Sequence, residues 1–337
     1  MRSFYYKLNK NFGDHMNAWM WPQLFPEQMS GRQDDVLVGI GTLIKESLNE
    51  LPGRKIVFGA GTGYGDALSR QRLENWLFYF VRGPLTAAAL GLPEEKGIVD
   101  AAWLVDQLPD VCYKPDTVRS GTVFVPHWTS DVYANWKQPC DLAGIRYVSP
   151  LDPDPVLPAI AHAELAIVES LHGAIMADYY RVPWIPVATN NRILEFKWRD
   201  FSASLDLNFQ PHFLPVTDIV ERLFTRTWGE GGHSAPAGDT LQAGTGIQFR
   251  APKPQPRRAS WRATARTIRD KGLNAVAGLR QSSIYRSINA ARSEQLAELL
   301  RDIATKPVQL STDANRQRKL DQLAVMSDQF RKDFPEG

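Results

Sequence analysis

Residues 169–173 read Glu-Ser-Leu-His-Gly and follow directly on the apolar run LAIV at 165–168. A carboxylate, a hydroxyl and an imidazole gain a use there if a buried strand stops and a helix starts. The first turn of a helix presents free N–H groups and a positive dipole end, and together these attract an anion. Ser170 can cap such a helix or donate to a ligand. His172 can donate a proton and, near its unperturbed pKa, accept one. Gly173 lets a ligand approach the backbone. The chemistry that fits is anion binding coupled to proton transfer. In the plainer alternative, Ser170 only caps the helix and His172 only packs.

Four other places combine similar residue types. His127 and Thr129 follow the apolar run at 121–126. Arg82 and Gly83 end a third run at 76–81, ahead of a helix opened by Pro84. A guanidinium there can grip a carboxylate or phosphate in two places, or it can make a structural salt bridge. Asn11, Gly13 and Asp14 stand between a short strand and a helix, where Asp14 can also be an N-cap. The string Gly59, Gly61, Gly63, Gly65 invites a dinucleotide reading. The third glycine of GxGxxG would fall on Tyr64 or Asp66, so the string is better read as backbone opening onto a crevice. Six histidines are scattered without HxxH spacing, and Cys112 and Cys140 form no CxxC pair. Neither a metal nor a cofactor is expected.

The elements that would hold these residues alternate. Strands are expected at 36–41, 55–61, 76–83 and 97–105, with a helix at 42–51 and another opened by Pro84. After residue 120 the expected strands are 121–128, 145–150, 165–170 and 184–189, with helices at 131–144 and 154–163. Runs apolar on both faces and separated by helices indicate parallel sheets covered on both sides. The fold class expected is α/β, with two β/α units in tandem joined near residue 120. The first covers 1–119 and the second 120–228; a loop and linker at 229–258 leads to a basic helical tail at 259–337. Open sheets of this kind bind ligands at the carboxyl ends of their strands, where all five places lie.

Composition narrows the class. A chain of 337 residues, 43% hydrophobic and 23% charged, is that of a soluble globular protein, and the N-terminus lacks the apolar core of a signal peptide. A cytoplasmic location is expected. Net charge is +2, yet residues 250–292 hold eleven Lys and Arg against Asp270. That stretch is either a solvated helix face or a contact for an anionic surface such as lipid headgroups. Nucleic acid is not expected as a partner.

The motifs "NFGD", "GAGTGYG", "RGP", "VDAAWLV", "VPH" and above all "ESLHGAIMADYYRVPWIPV" resemble those of the polysaccharide pyruvyl transferase family, closest to its succinoglycan-type members. The resemblance runs from about residue 5 to 190, in the expected order. It implies a fold like that of GT-B glycosyltransferases, with two Rossmann-like domains facing a cleft and a C-terminal helix crossing back. It also implies transfer of pyruvate from phosphoenolpyruvate to a sugar of an exopolysaccharide or lipid-linked oligosaccharide, as a ketal. Peripheral contact with the inner membrane face follows from such an acceptor.

On that chemistry, His172 and His127 become candidates for proton transfer. Arg82, Ser170, Leu171 and Gly173 are candidates for the donor. Asp14 and Asp100 could orient or deprotonate the acceptor, which Asn11, Gly61 and Gly63 would line. One departure stands out. Some members carry an arginine directly before the Leu-His pair, where this chain has Ser170, and some have one near His127. Another cation must then balance the donor. A nucleotide-sugar glycosyltransferase, or a non-catalytic part of a polysaccharide assembly, are the rival readings.

Overall fold

The computed structural model describes residues 1–6, 11–30, 34–63, 68–69, 73–189, 194–215 and 283–335, without the side chains of Tyr133 and 283–288. The expected linker at 229–258, most of the basic stretch and Gly65 lie outside the described residues.

In chain order the first half holds β1 (Arg2–Ser3), α1 (Phe12–Leu24), α2 (Pro26–Ser30), β2 (Val36–Val38), β3 (Thr42–Ile44), β4 (Lys55–Phe58), β5 (Gly61–Thr62), β6 (Trp76–Phe80) and α3 (Pro84–Leu90). The second holds β7 (Thr122–Val125), α4 (Trp128–Tyr133), α5 (Lys137–Ala143), β8 (Arg146–Tyr147), α6 (Val156–Ala161), β9 (Leu165–Val168), α7 (Leu171–Tyr179), β10 (Trp184–Ala188), α8 (Glu195–Ser204) and β11 (His212–Phe213). The helices α9 (Ser283–Ile303) and α10 (Asp313–Asp333) follow.

The strands make two larger parallel sheets, ordered β1-β2-β4-β6 and β11-β10-β9-β7-β8, and a small parallel pair β3-β5. The middle strands β2 and β4 are buried throughout, and β7, β9 and β10 nearly so, which is why they read as unbroken apolar runs. One hydrophobic cluster joins the halves: Phe12, Trp21 and Phe58 belong to the same core as Val125, Val168, Met176 and Trp184. The last helix ties them as well. Near its start Asn315 donates to Asp206 at 2.9 Å. Near its end Phe330 packs on Phe25 and Phe58, and Asp333 accepts from the Tyr79 hydroxyl at 2.6 Å. Leu323 is buried, with Leu320 and Met326 against the core, as their spacing suggests.

Three expectations are corrected. The segment 42–51 is not a helix but β3 followed by a 3-10 turn at Glu46–Glu50. β-branched Thr42 and Ile44 suit the pairing with β5, which the Thr62 hydroxyl reinforces by donating to the Ile44 carbonyl at 2.9 Å. The segment 97–105 is not a strand. Gly97 makes a single bridge with Val81, and a 3-10 helix then runs over Ala101–Gln107. Its residues 101–105 are buried all round, and such a run does not reveal its period. The helix expected at 131–144 is two, broken at Ala134. Pro139 cannot continue a helix begun well before it, and here it lies in the first turn of α5, which begins at Lys137.

Candidate functional site

The carboxylate at 169 ties three strand ends together. Glu169 is 1% exposed and accepts from the backbone N–H of His127 (2.9 Å), the Ser130 hydroxyl, and the backbone N–H and hydroxyl of Thr189 (3.3 and 2.5 Å). Burial raises its pKa, against the pull of these four donors. The ends of β7, β9 and β10 are thereby fixed.

Past that tie α7 begins. Ser170 is its N-cap, the hydroxyl accepting from the Gly173 N–H at 3.4 Å. Leu171 is buried in the core. Gly173 packs closely on β9, since a Cβ there would lie 3.1 Å from Val168 Cγ1. His172 points the other way, toward the first half. A Cβ on Gly13 would lie 2.1 Å from its Nδ1, so the glycine in α1 makes room for the imidazole, and Phe12 meets the ring edge-on. Burial, then Lys197 and Arg82, pull the His172 pKa down to about 3. The ring is therefore neutral near pH 7, not poised near its unperturbed pKa. Its Nε2 is buried without a hydrogen-bond partner among the described residues.

The start of α1 is held from both sides. The Phe12 N–H donates to the Pro150 carbonyl (2.8 Å), and Asn17 exchanges hydrogen bonds of 3.0 Å with the backbone of Ile40. Asn11 occupies the N-cap position without a side-chain cap bond, and its amide donates to Asp14 at 3.3 Å. Gly13 and Asp14 thus lie inside the first helical turn, not ahead of it. Burial pushes the Asp14 pKa up to about 6, with Asn11 and Lys197 opposing.

Arg82 follows β6 and is fully buried. Its Nε donates to Asp200 at 3.1 Å, Nη1 to the Thr42 hydroxyl at 2.8 Å, and Nη2 to the Thr62 carbonyl at 3.5 Å. A Cβ on Gly61 would lie 2.3 Å from the guanidinium carbon, so Gly61 lets the arginine cross the strand end. Gly63, at φ 128°, lies against Leu194 and Phe196. Asp100 caps the 3-10 helix by accepting from the Ala102 N–H at 3.0 Å. Its other oxygen is buried and without a hydrogen-bond partner among the described residues. Burial pushes its pKa up to about 6, eased by Arg82 and raised further by Asp200. His127 caps α4, its Nδ1 2.7 Å from the Thr129 hydroxyl, and burial with Lys197 holds its pKa well below the usual value.

The structure sets Gly13 against His172 and Gly61 against Arg82, bonds Asn11 to Asp14, and lets the charge of Arg82 bear on Asp100 and His172. Ser170, Leu171 and Gly173 support that arrangement from α7. Sequence reasoning missed α8. Asp200 accepts from Arg82 and from both the N–H and the hydroxyl of Thr86 (2.8 and 2.6 Å). Lys197, one turn earlier, is 8% exposed and acts on Asp14, His127 and His172 alike. The signal was a lysine and an aspartate three apart on a helix whose other members, Phe196, Trp198 and Phe201, are core residues. Among the described residues no three His, Cys, Asp or Glu side chains group as metal ligands, and no helix is long and apolar enough to cross a membrane.

Comparison with known proteins places the chain in a family. The model of the polysaccharide pyruvyl transferase family matches residues 2–191, which include every candidate named from the sequence. Succinoglycan biosynthesis protein ExoV of Rhizobium meliloti (strain 1021) is 32% identical over 340 residues, covering 99% of this chain and 100% of that protein. No solved structure matches. With more than half of its length matched by the family and nearly all of it by a curated relative, the chain belongs to the polysaccharide pyruvyl transferase family.

Proposed function

We propose that this protein transfers pyruvate from phosphoenolpyruvate to a sugar of an exopolysaccharide or lipid-linked oligosaccharide, forming a ketal and releasing phosphate. Family membership supports transfer of a pyruvyl group to a polysaccharide. The observation that carries the finer reading is the buried, unpartnered Nε2 of His172, whose pKa the charges of Lys197 and Arg82 help to lower. Such a pocket suits an anion that must also receive a proton.

The reaction makes definite demands. A proton goes to C3 of the enol, which gives C2 oxocarbenium character. A first sugar hydroxyl adds to C2 and loses its proton. A second hydroxyl of the same sugar displaces phosphate, loses its proton and closes the ring. One of the two released protons balances that taken up at C3, and the other leaves with phosphate or solvent. Neutral His172 accepts a proton from the first hydroxyl, or carries one to C3 once the donor's negative charge offsets the two cations. Asp14 and Asp100, protonated up to about pH 6, fit the exchange with the acceptor hydroxyls. Arg82, paired with Asp200, Thr42 and Thr62, fixes the strand end beside the donor and does not contact it. Asn11, Gly61 and Gly63 form the acceptor side. The two parallel sheets are read as Rossmann-like domains, 1–119 and 120–228, facing a cleft in the GT-B manner. The enzyme works in the cytoplasm and reaches a lipid-linked acceptor at the membrane face.

Phosphoenolpyruvate labelled in its pyruvyl carbons is incubated with the protein and lipid-linked saccharide. The expected product is an acid-labile ketal on the saccharide, formed with one phosphate per label. Absence of phosphoenolpyruvate turnover, or label moving only from a nucleotide sugar, overturns the reading.

A further inference from the structure

His127 follows the end of β7 as His172 follows the end of β9, and the two strands are paired, Val125 beside Val168. The backbone N–H groups of Glu169 and Ser170 both donate to the Val125 carbonyl, at 2.9 and 3.2 Å. In return the Glu169 carboxylate accepts from the His127 N–H at 2.9 Å. The turn that carries His172 and the turn that carries His127 are thus bonded to each other.

The ring of His127 is held as well. The backbone N–H of Thr129 donates to its Nδ1 at 3.4 Å. A backbone N–H can only donate, so Nδ1 presents a lone pair there and carries no hydrogen. The Thr129 hydroxyl lies 2.7 Å from the same nitrogen and therefore donates to it too. Burial, with Lys197 acting in the same direction, keeps the ring uncharged near pH 7. The one ring hydrogen is then on Nε2. Among the described residues Nε2 makes no hydrogen bond. The simpler alternative is that Nδ1 only caps α4. A cap needs one bond, which the N–H supplies; the hydroxyl adds a second and shorter one to the same nitrogen. A fixed N–H donor suits a phosphate or carboxylate oxygen, which when ionised can only accept.

We propose that Thr129 is a positioning residue, its hydroxyl fixing the His127 ring with the hydrogen on Nε2, so that His127 donates a hydrogen bond to an anionic oxygen of phosphoenolpyruvate. The ligand named here rests on the reading of the site as a phosphoenolpyruvate site; the part played by Thr129 does not.

Nuclear magnetic resonance on the full chain with isotope-labelled histidine shows which ring nitrogen carries the hydrogen, and the His127 signal is the one missing from His127→Gln. Wild type is expected to carry it on Nε2, Thr129→Ser to match wild type, and Thr129→Val to show a share of the form with hydrogen on Nδ1. Titration calorimetry with phosphoenolpyruvate should follow the ring. Affinity is expected to fall about threefold to tenfold in Thr129→Val, as for a lost hydrogen bond, and to return in Thr129→Ser. His127→Ala should lose about tenfold to a hundredfold, whereas His127→Gln offers an amide N–H in place of Nε2–H and should keep most of the affinity. Should Thr129→Val not fold, Thr129→Ala replaces it in both measurements. Hydrogen on Nδ1 in wild type, an unchanged ring in Thr129→Val, or His127→Gln as weak as His127→Ala overturns the proposal. Failure of wild type to bind phosphoenolpyruvate overturns the broader reading of the site, and the resonance spectrum still decides the part played by Thr129.

Discussion

Two strand-to-helix turns of this molecule follow one plan and end differently. After β6 the chain places Arg82, then Gly83 and a helix opened by Pro84; after β9 it places Ser170, Leu171 and His172 as the helix begins. Arg82 is satisfied on all three nitrogens by Asp200, Thr42 and Thr62. His172 is enclosed as deeply around its Nε2 and leaves that atom unpartnered. The carboxylates repeat the contrast. Glu169 collects four donors, whereas Asp100 leaves one buried oxygen without a partner among the described residues. A buried polar group that is fully paired holds structure; one left unpaired costs stability unless something else completes it. Arg82 and Glu169 are therefore struts, and under the proposed function His172 and Asp100 are the groups that reactants would complete.

The largest effect expected comes from breaking the strut. Asp200→Ala leaves the Arg82 charge buried without its carboxylate, and such losses cost about 3–5 kcal/mol. Urea unfolding measures it. A loss below about 1 kcal/mol would mean that water or a neighbour replaces Asp200, and the contrast between the turns would weaken. Arg82→Lys should follow the same pattern, with a lowered Tm and little change in KM, because its fork is used up inside the protein.

At the other turn the effect should be kinetic. His172→Gln keeps polarity and bulk but cannot exchange a proton, so kcat should fall by about 10² or more with Tm nearly unchanged. Near wild-type turnover would sink the assignment and make His127 the better candidate.

The buried titratable groups also set a pH dependence with opposing signs. His172 titrates at about 3 when folded against 6.5 when free, so the folded state binds fewer protons across that window and this group makes stability rise with pH. Asp14 titrates at about 6 against 3.8, so the folded state binds more protons and stability falls as pH rises between those values. Asp100 has the sign of Asp14. In Asp14→Asn one opposing slope is gone. Its Tm should climb more steeply from pH 4 to 6 than that of wild type, and a parallel curve would show that the Asp14 carboxyl is not held protonated.

How much of this could be read from the chain depends on the range of the contacts. The turn at 169–173 was legible because a buried run, a capping serine and a glycine lie within a few residues of one another. The parallel sheets were legible from runs apolar on both faces. The segment 97–105 was misread because burial of 101–105 on every side removes the polar face that reveals a period, and 42–51 because its strand is only three residues long before a 3-10 turn. The partner of Arg82 was out of reach, since Asp200 lies 118 residues further on and the pair exists only because α8 folds back onto α3. For the same reason nothing near His172 in sequence announces Lys197.

The smallest expected effect tests the contrast at its finest point. Ser170 is a cap by geometry, with a long bond to the Gly173 N–H, and it stands where the family resemblance sets a donor-binding group. As a cap, Ser170→Ala should cost about 1 kcal/mol and Ser170→Gly only a few tenths, with KM for phosphoenolpyruvate unchanged in both. As a donor contact, both variants lose the same hydroxyl and should raise KM equally. Ser170→Asp then separates the helix end from the hydroxyl. An aspartate caps as well as serine, so stability should hold, yet it sets a negative charge at the N-terminus meant for the donor. A marked rise in KM with an unchanged Tm would place the anion at the start of α7. An unchanged KM would show that the donor does not use this helix end, and the unpartnered imidazole would then face some other ligand.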